Sequence, residues 1–166
     1  MPEICDEQQY RDAEVAAAGM LSRRPLSAAM LEQKLLDKGF APEAADYAVQ
    51  RMRLLRAIDD EAYAEMLIRS YRNKGYGAKR IRQELYQRGV PKDIAAQQLR
   101  NMEPNWEKMH ALLEKKLRGD VSDRKQREKA MAALQRRGFT FSEIKIAMDN
   151  YRAELQQQQE EEFYVD

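Results

Sequence analysis

Six cations and a tyrosine fall within one short stretch: Arg69, Arg72, Lys74, Tyr76, Lys79, Arg80 and Arg82. Guanidinium and ammonium groups recognise phosphate and carboxylate oxygens. A tyrosine ring can stack on a base or pack into a turn. From Arg69 to Lys92 only Glu84 opposes eight Lys and Arg, a net +7. A second basic set, Lys115, Lys116, Arg124, Lys125 and Arg127, lies in the segment 114–137, whose net charge is +5. From Ala153 onward the chain carries five acids and no cation, although the whole chain is only +1. This polarisation suits an anionic or acidic partner, with an acidic end that can compete for the same surface. Solvated helix faces also produce such runs, and for the acidic end that is the simpler account.

Other chemistry finds little support. His110 is the only histidine and Cys5 the only cysteine, so neither a zinc set nor an internal disulfide is expected. Asp59-Asp60-Glu61 resembles a carboxylate cluster, but acids at a helix start are explained by capping and by the helix dipole. Gly75-Tyr76-Gly77 is a weak phosphate-loop signal, with no strand before it and no Gly-Lys-Ser/Thr after it. No nucleophile, acid-base group and stabiliser converge. The expectation is a protein with no catalytic residue, no metal, no cofactor and no small-molecule substrate.

The elements that hold these residues follow from a repeat. Lys38-Gly39-Phe40, Arg88-Gly89-Val90 and Arg137-Gly138-Phe139 each place a glycine between a cation and an apolar residue, at spacings of 50 and 49. Leu35, Leu85 and Leu134 stand four residues before the glycines. Leu31, Ile81 and Ala130 stand eight before. After them come Ala45, Val49 and Met52, then Ala95, Leu99 and Met102, then Ile144, Met148 and Tyr151, at steps of four and three. That is the period of an apolar helix face. Each unit thus reads as a helix closed by a left-handed glycine, a tight turn and a second helix. The second helices start near Pro42, Lys92 and Ser142, with Ser142 as a cap. A further helix precedes each pair: Glu7 to Leu21, Asp59 to Asn73, and one beginning at Pro104 with Trp106, Met109, Leu113 and Leu117 as its stripe. Ser27 caps the helix after SRRPLS.

The fold expected is all-α, about nine helices in three tandem three-helix repeats forming an elongated array. The units are 1–57, 58–103 and 104–155, followed by an acidic, fraying tail over 156–166. No apolar run approaches a membrane span, the start lacks the basic and apolar regions of a signal peptide, and a single cysteine fits a reducing cytoplasm. A monomer is expected.

Asp59-Asp60-Glu61-Ala62-Tyr63-Ala64, Arg69 and the run from Lys74 to Leu85, KGYGAKRIRQEL, are similar to the signature of the bacterial regulatory protein RecX family. Leu21-Ser22-Arg23-Arg24-Pro25-Leu26-Ser27 and Leu134-Gln135-Arg136-Arg137-Gly138-Phe139 extend the resemblance to about Ala13 to Tyr151. Two departures stand out: Met30 where a glutamate is usual, and Leu55-Arg56-Ala57-Ile58 in place of a glycine-aromatic turn. The resemblance implies a curved, three-unit body in the groove of the RecA–DNA filament. It implies inhibition of ATP hydrolysis, strand exchange and the co-protease activity that triggers the SOS response. It also implies direct binding to single- and double-stranded DNA. The alternative is a helix-turn-helix-like DNA-binding protein acting without RecA. The residues expected at the partner are the two basic sets and Tyr76, and the spacing leaves open whether they meet DNA phosphates or acidic protein.

Overall fold

The computed structural model describes residues 6–165; Cys5, expected to be an incidental thiol, lies outside them. The described residues form nine helices and no strand: α1 (Glu7–Arg23), α2 (Ala28–Asp37), α3 (Pro42–Leu54), α4 (Asp60–Asn73), α5 (Ala78–Gln87), α6 (Lys92–Leu99), α7 (Trp106–Leu117), α8 (Arg124–Arg136) and α9 (Phe141–Val165). They compose three three-helix repeats in chain order. By compactness the chain divides into two units: Met1–Leu67 with Glu84–Arg100, and Ile68–Gln83 with Asn101–Asp166. The division passes through α4 and α5, so the middle repeat contributes to both units.

The three repeat glycines close α2, α5 and α8 in one way. In each, the glycine N–H donates to the carbonyl three residues back, and the next residue's N–H reaches five back. These are Gly39 to Leu36 and Phe40 to Leu35, Gly89 to Tyr86 and Val90 to Leu85, and Gly138 to Gln135 and Phe139 to Leu134, all between 2.9 and 3.3 Å. The glycines take φ of 99, 75 and 94°, which an L side chain adopts only at a cost. Leu35, Leu85 and Leu134 are all fully buried, each contributing about 2 kcal/mol by removal from water.

The same closure ends α3, with a difference. Arg56 N–H donates to Arg53 O and Ala57 N–H to Met52 O, at 3.0 and 2.8 Å, yet the left-handed position is occupied by Arg56 at φ 56°. Here an arginine holds the geometry that glycine holds after α2, α5 and α8. Since a non-glycine residue in this region costs about 1–2 kcal/mol, Arg56→Gly should raise the unfolding free energy by about 1 kcal/mol, read from urea denaturation. A loss of stability would mean that the Arg56 side chain contributes more than its backbone costs.

In the first unit α1 and α3 meet through small residues, Ala13 and Ala17 against Ala44, Ala45 and Ala48, all fully buried. Alanine at i and i+4 lets two helices approach closely. Ser27 caps α2, as its position in SRRPLS predicts, by accepting from Met30 N–H at 3.1 Å. Its hydroxyl also donates to Arg88 O. Met30 offers its sulfur to the Tyr63 hydroxyl at 3.8 Å. Asp59 caps α4 through Ala62 N–H at 3.1 Å. Asp60 points elsewhere: buried, it accepts from Ala28 N–H at 2.9 Å. The face α4 buries is therefore Asp60, Tyr63, Ala64 and Leu67, while Met66 is exposed.

In the second unit Met109, Leu113 and Leu117 of α7 pack with Ala130 and Leu134 of α8 and with Ile144, Met148 and Tyr151 of α9. Two starts differ from expectation. α7 begins at Trp106, two residues after the Pro104 expected near its start, and Asn105 caps it by accepting from Lys108 N–H at 3.2 Å. Thr140, not Ser142, stands before α9: its Oγ accepts from Glu143 N–H at 3.2 Å while Thr140 N–H donates to the Glu143 carboxylate at 2.8 Å. That reciprocal pair satisfies two donors where a lone serine satisfies one. α9 continues through the acidic stretch to Val165, its side chains exposed from Gln156 onward.

Tyr151, 1% exposed, accepts from Gly119 N–H at 2.9 Å and donates to Glu114 at 2.6 Å. Burial, with the Glu114 carboxylate beside it, raises the phenol above its ordinary value near 10. The folded state therefore disfavours the phenolate. Its stabilising contribution is complete below the unfolded value and is lost as pH rises through the raised one. Tyr151→Phe should cost about 1–2 kcal/mol at pH 7 and flatten the alkaline fall in stability; an unchanged alkaline limb would place that fall elsewhere.

Candidate anion- and partner-binding surface

All twelve residues proposed from sequence lie in the second compact unit. Their surroundings separate them. Arg69, Lys79 and Arg82 are exposed on α4 and α5, and Lys115 and Lys116 are exposed in the last turn of α7. Lys125 is exposed in the first turn of α8, and Arg124 beside it pairs with Glu128 at 2.9 Å. Two others are engaged within the chain. Arg72 donates to Glu103 O at 2.7 Å and to Pro104 O at 3.3 Å, holding the segment that leads into α7. Arg127 donates to Val121 O before α8.

The turn between α4 and α5 is built against the turn between α8 and α9. Gly77 N–H donates to Arg137 O at 2.8 Å and Lys79 N–H to Gly138 O at 3.2 Å. A β-carbon on Gly77 would lie 2.5 Å from Gly138 backbone atoms, and one on Gly138 would lie 2.4 Å from Arg80 N. Gly75 closes α4 at φ 86°. The glycines of Gly75-Tyr76-Gly77 thus serve a left-handed cap and a close backbone approach. No phosphate loop is formed.

Tyr76 sits half-buried at this junction. The Arg80 and Arg137 guanidiniums stand 5.7 and 5.4 Å from its ring centroid, and the Tyr71 ring meets it edge-on at 5.9 Å. Guanidinium groups at such distances are attracted by the ring's negative face. Arg137 also donates to Lys74 O at 3.1 Å.

These contacts bring together residues that sequence density alone did not join. Lys74, Lys108, Lys115 and Arg137 line one concavity of about 210 Å³ with Gly75, Ala111 and Leu112. Neither Lys108 nor Arg137 was among the partner-binding residues expected from the sequence. Lys108 could have been found from its i+7 spacing to Lys115, which puts both on one face of α7. Nothing local brings Arg137 to Lys74, 63 residues away.

On another face of α7, His110 Nε2 meets the Glu154 carboxylate of α9, and its ring lies 5.3 Å from Tyr151. Among the described residues no group of three or more His, Cys, Asp or Glu is placed to hold a metal ion. No helix among them is long and apolar enough to cross a membrane.

Known proteins of similar sequence and fold give the chain a family. The profile of the first three-helix domain of RecX matches residues 13–52, that of the second matches 59–99, and that of the third matches 103–148. The regulatory protein RecX of Vibrio parahaemolyticus is 34% identical over 135 residues, covering 80% of this chain and 87% of its own. That of Prosthecochloris aestuarii is 35% identical over 146 residues, covering 86% and 95%. In fold, the crystal structure of RecX from Lactobacillus salivarius superposes with a TM-score of 0.82 over 88% of this chain and 98% of that one, at 23% identity. With all three helical domains matched in order, this chain belongs to the RecX family of regulatory proteins.

Proposed function

We propose that this protein is a negative regulator of the RecA recombinase that lies in the groove of the RecA–DNA filament. The observation that carries this reading is the match to all three RecX domains in order along the chain. The cation-rich second unit supports it, because a nucleoprotein filament presents both phosphates and acidic side chains. In this reading the protein acts in the cytoplasm as a monomer and touches the filament's DNA as well as its protein. It lowers ATP hydrolysis, strand exchange and co-protease activity by binding one filament state more tightly than another, since a ligand shifts an equilibrium only through such a difference. Arg69, Lys79 and Arg82 are the residues best placed for the partner, being exposed and close together in sequence. Arg72 serves mainly to hold the α7 approach.

The test follows ATP hydrolysis by RecA on single-stranded DNA as this protein is added. Hydrolysis should fall in a saturable manner. Hydrolysis unchanged across a wide excess would refute the proposal.

A further inference from the structure

We infer that the apolar groove at the start of α9 receives the last turns of α9 from a second copy of this chain. The groove measures about 480 Å³. Phe139 and Ile144, both buried, form its floor, and Met131, Ala132 and Phe141 form its walls. Phe141 is 74% exposed, so its ring is uncovered. Lys79 stands on the rim, and Lys145, also exposed, follows Phe141 by one turn of α9. The carboxylate on the rim, Glu128, is taken by Arg124 at 2.9 Å. The groove is therefore apolar within and cationic at its edge.

The far end of α9 has the complementary character. From Gln156 to Val165 every side chain is exposed, and Phe163, Tyr164 and Val165 are exposed by 81 to 86%. The Phe163 and Tyr164 rings meet edge-on at 5.9 Å. Glu160, Glu161 and Glu162 precede them, in the part of a helix whose carbonyl-rich end disfavours negative charge. Such an end gains from apolar cover and from nearby cations. The chain cannot supply these to itself. Phe141 and Phe163 are 22 residues apart on one unbroken helix, about 33 Å along its axis. A second copy can, and since each copy carries both halves, one two-fold pairing makes the contact twice. The association does not depend on the regulator reading. Under that reading the contact covers Lys79, proposed above for the filament, so the monomer is the form on the filament and the pair the form off it.

Sedimentation equilibrium of the full chain, without recombinase, follows its mass from micromolar to near-millimolar concentration. The mass should rise from 19.4 kDa toward twice that value. Two double variants remove one half of the contact each: Phe163→Ser with Tyr164→Ser, and Phe141→Ser with Lys79→Glu. All four positions are exposed, so the circular dichroism of both should match wild type. Each variant alone should associate about tenfold or more weakly than wild type. Mixed in equal amounts they should recover part of the association, because the intact groove of one meets the intact α9 end of the other. A mass fixed at 19.4 kDa at every concentration overturns the inference. Growth of the hydrodynamic radius in either variant would then give the groove to the chain's own unwound α9 end, and no growth would leave it to a different protein. Association equally strong in wild type and both variants would place the interface elsewhere and also overturn it. So would a mixture that associates no more strongly than the separate variants.

Discussion

Gly138→Ala should destabilise the second unit by about 3–4 kcal/mol, the largest loss expected from any glycine of the repeat. Two costs combine. At φ 94° an alanine is strained by about 1–2 kcal/mol. The added carbon would also stand 2.4 Å from Arg80 N and 2.6 Å from Arg80 Cβ, so backbone has to move. That movement opens the hydrogen bonds from Gly77 N–H to Arg137 O and from Lys79 N–H to Gly138 O, each worth about 1 kcal/mol. Gly39 occupies the same position in the first repeat at φ 99° with nothing within 4 Å of such a carbon. Gly39→Ala should therefore cost only the conformational part, about 1–2 kcal/mol. Denaturant unfolding of the two variants separates the contributions. Equal losses would show that the junction at Gly138 contributes nothing beyond backbone conformation.

The second large effect concerns adjacent aspartates with different work. Asp60→Ala should cost about 3 kcal/mol, against about 1 kcal/mol for Asp59→Ala. Asp59 is an ordinary cap, exposed and bonded to Ala62 N–H. The Asp60 side chain is 5% exposed, with Arg53 4.0 Å from its carboxylate. It accepts from Ala28 N–H, in the first turn of α2, where the dipole favours negative charge. Its removal leaves that buried donor without a partner, a penalty beyond the bond itself. Asp60→Asn keeps an acceptor oxygen and should recover most of the loss. If the two alanine variants unfold together, Asp60 is only another cap.

The features legible in the sequence are those whose cause is local. A glycine closing a helix needs a cation and an apolar neighbour within a few residues, so Gly39, Gly89 and Gly138 announced three helix ends. The buried leucines four residues earlier followed from the same period. Ser27 was readable as a cap for the same reason. Thr140 was readable too: Thr140-Phe141-Ser142-Glu143 contains the reciprocal capping pattern, with Ser142 as a second hydroxyl inside it. Contacts distant in sequence were not legible. Asp60 and Ala28 are 32 residues apart, and Arg137 and Lys74 are 63 apart. Charge counting also ranks a structural arginine such as Arg72 with an exposed one such as Arg82. It passed over Lys108, which the fold sets beside Lys74 and Arg137.

The most direct measurement is co-sedimentation with RecA filaments assembled on single-stranded DNA, beside RecA without DNA and the same DNA without RecA. The regulator reading expects this protein to pellet with the filaments at a fixed ratio to RecA, more tightly than with either component alone. Protein that remains in the supernatant with filaments, or that pellets equally with bare DNA, would contradict it.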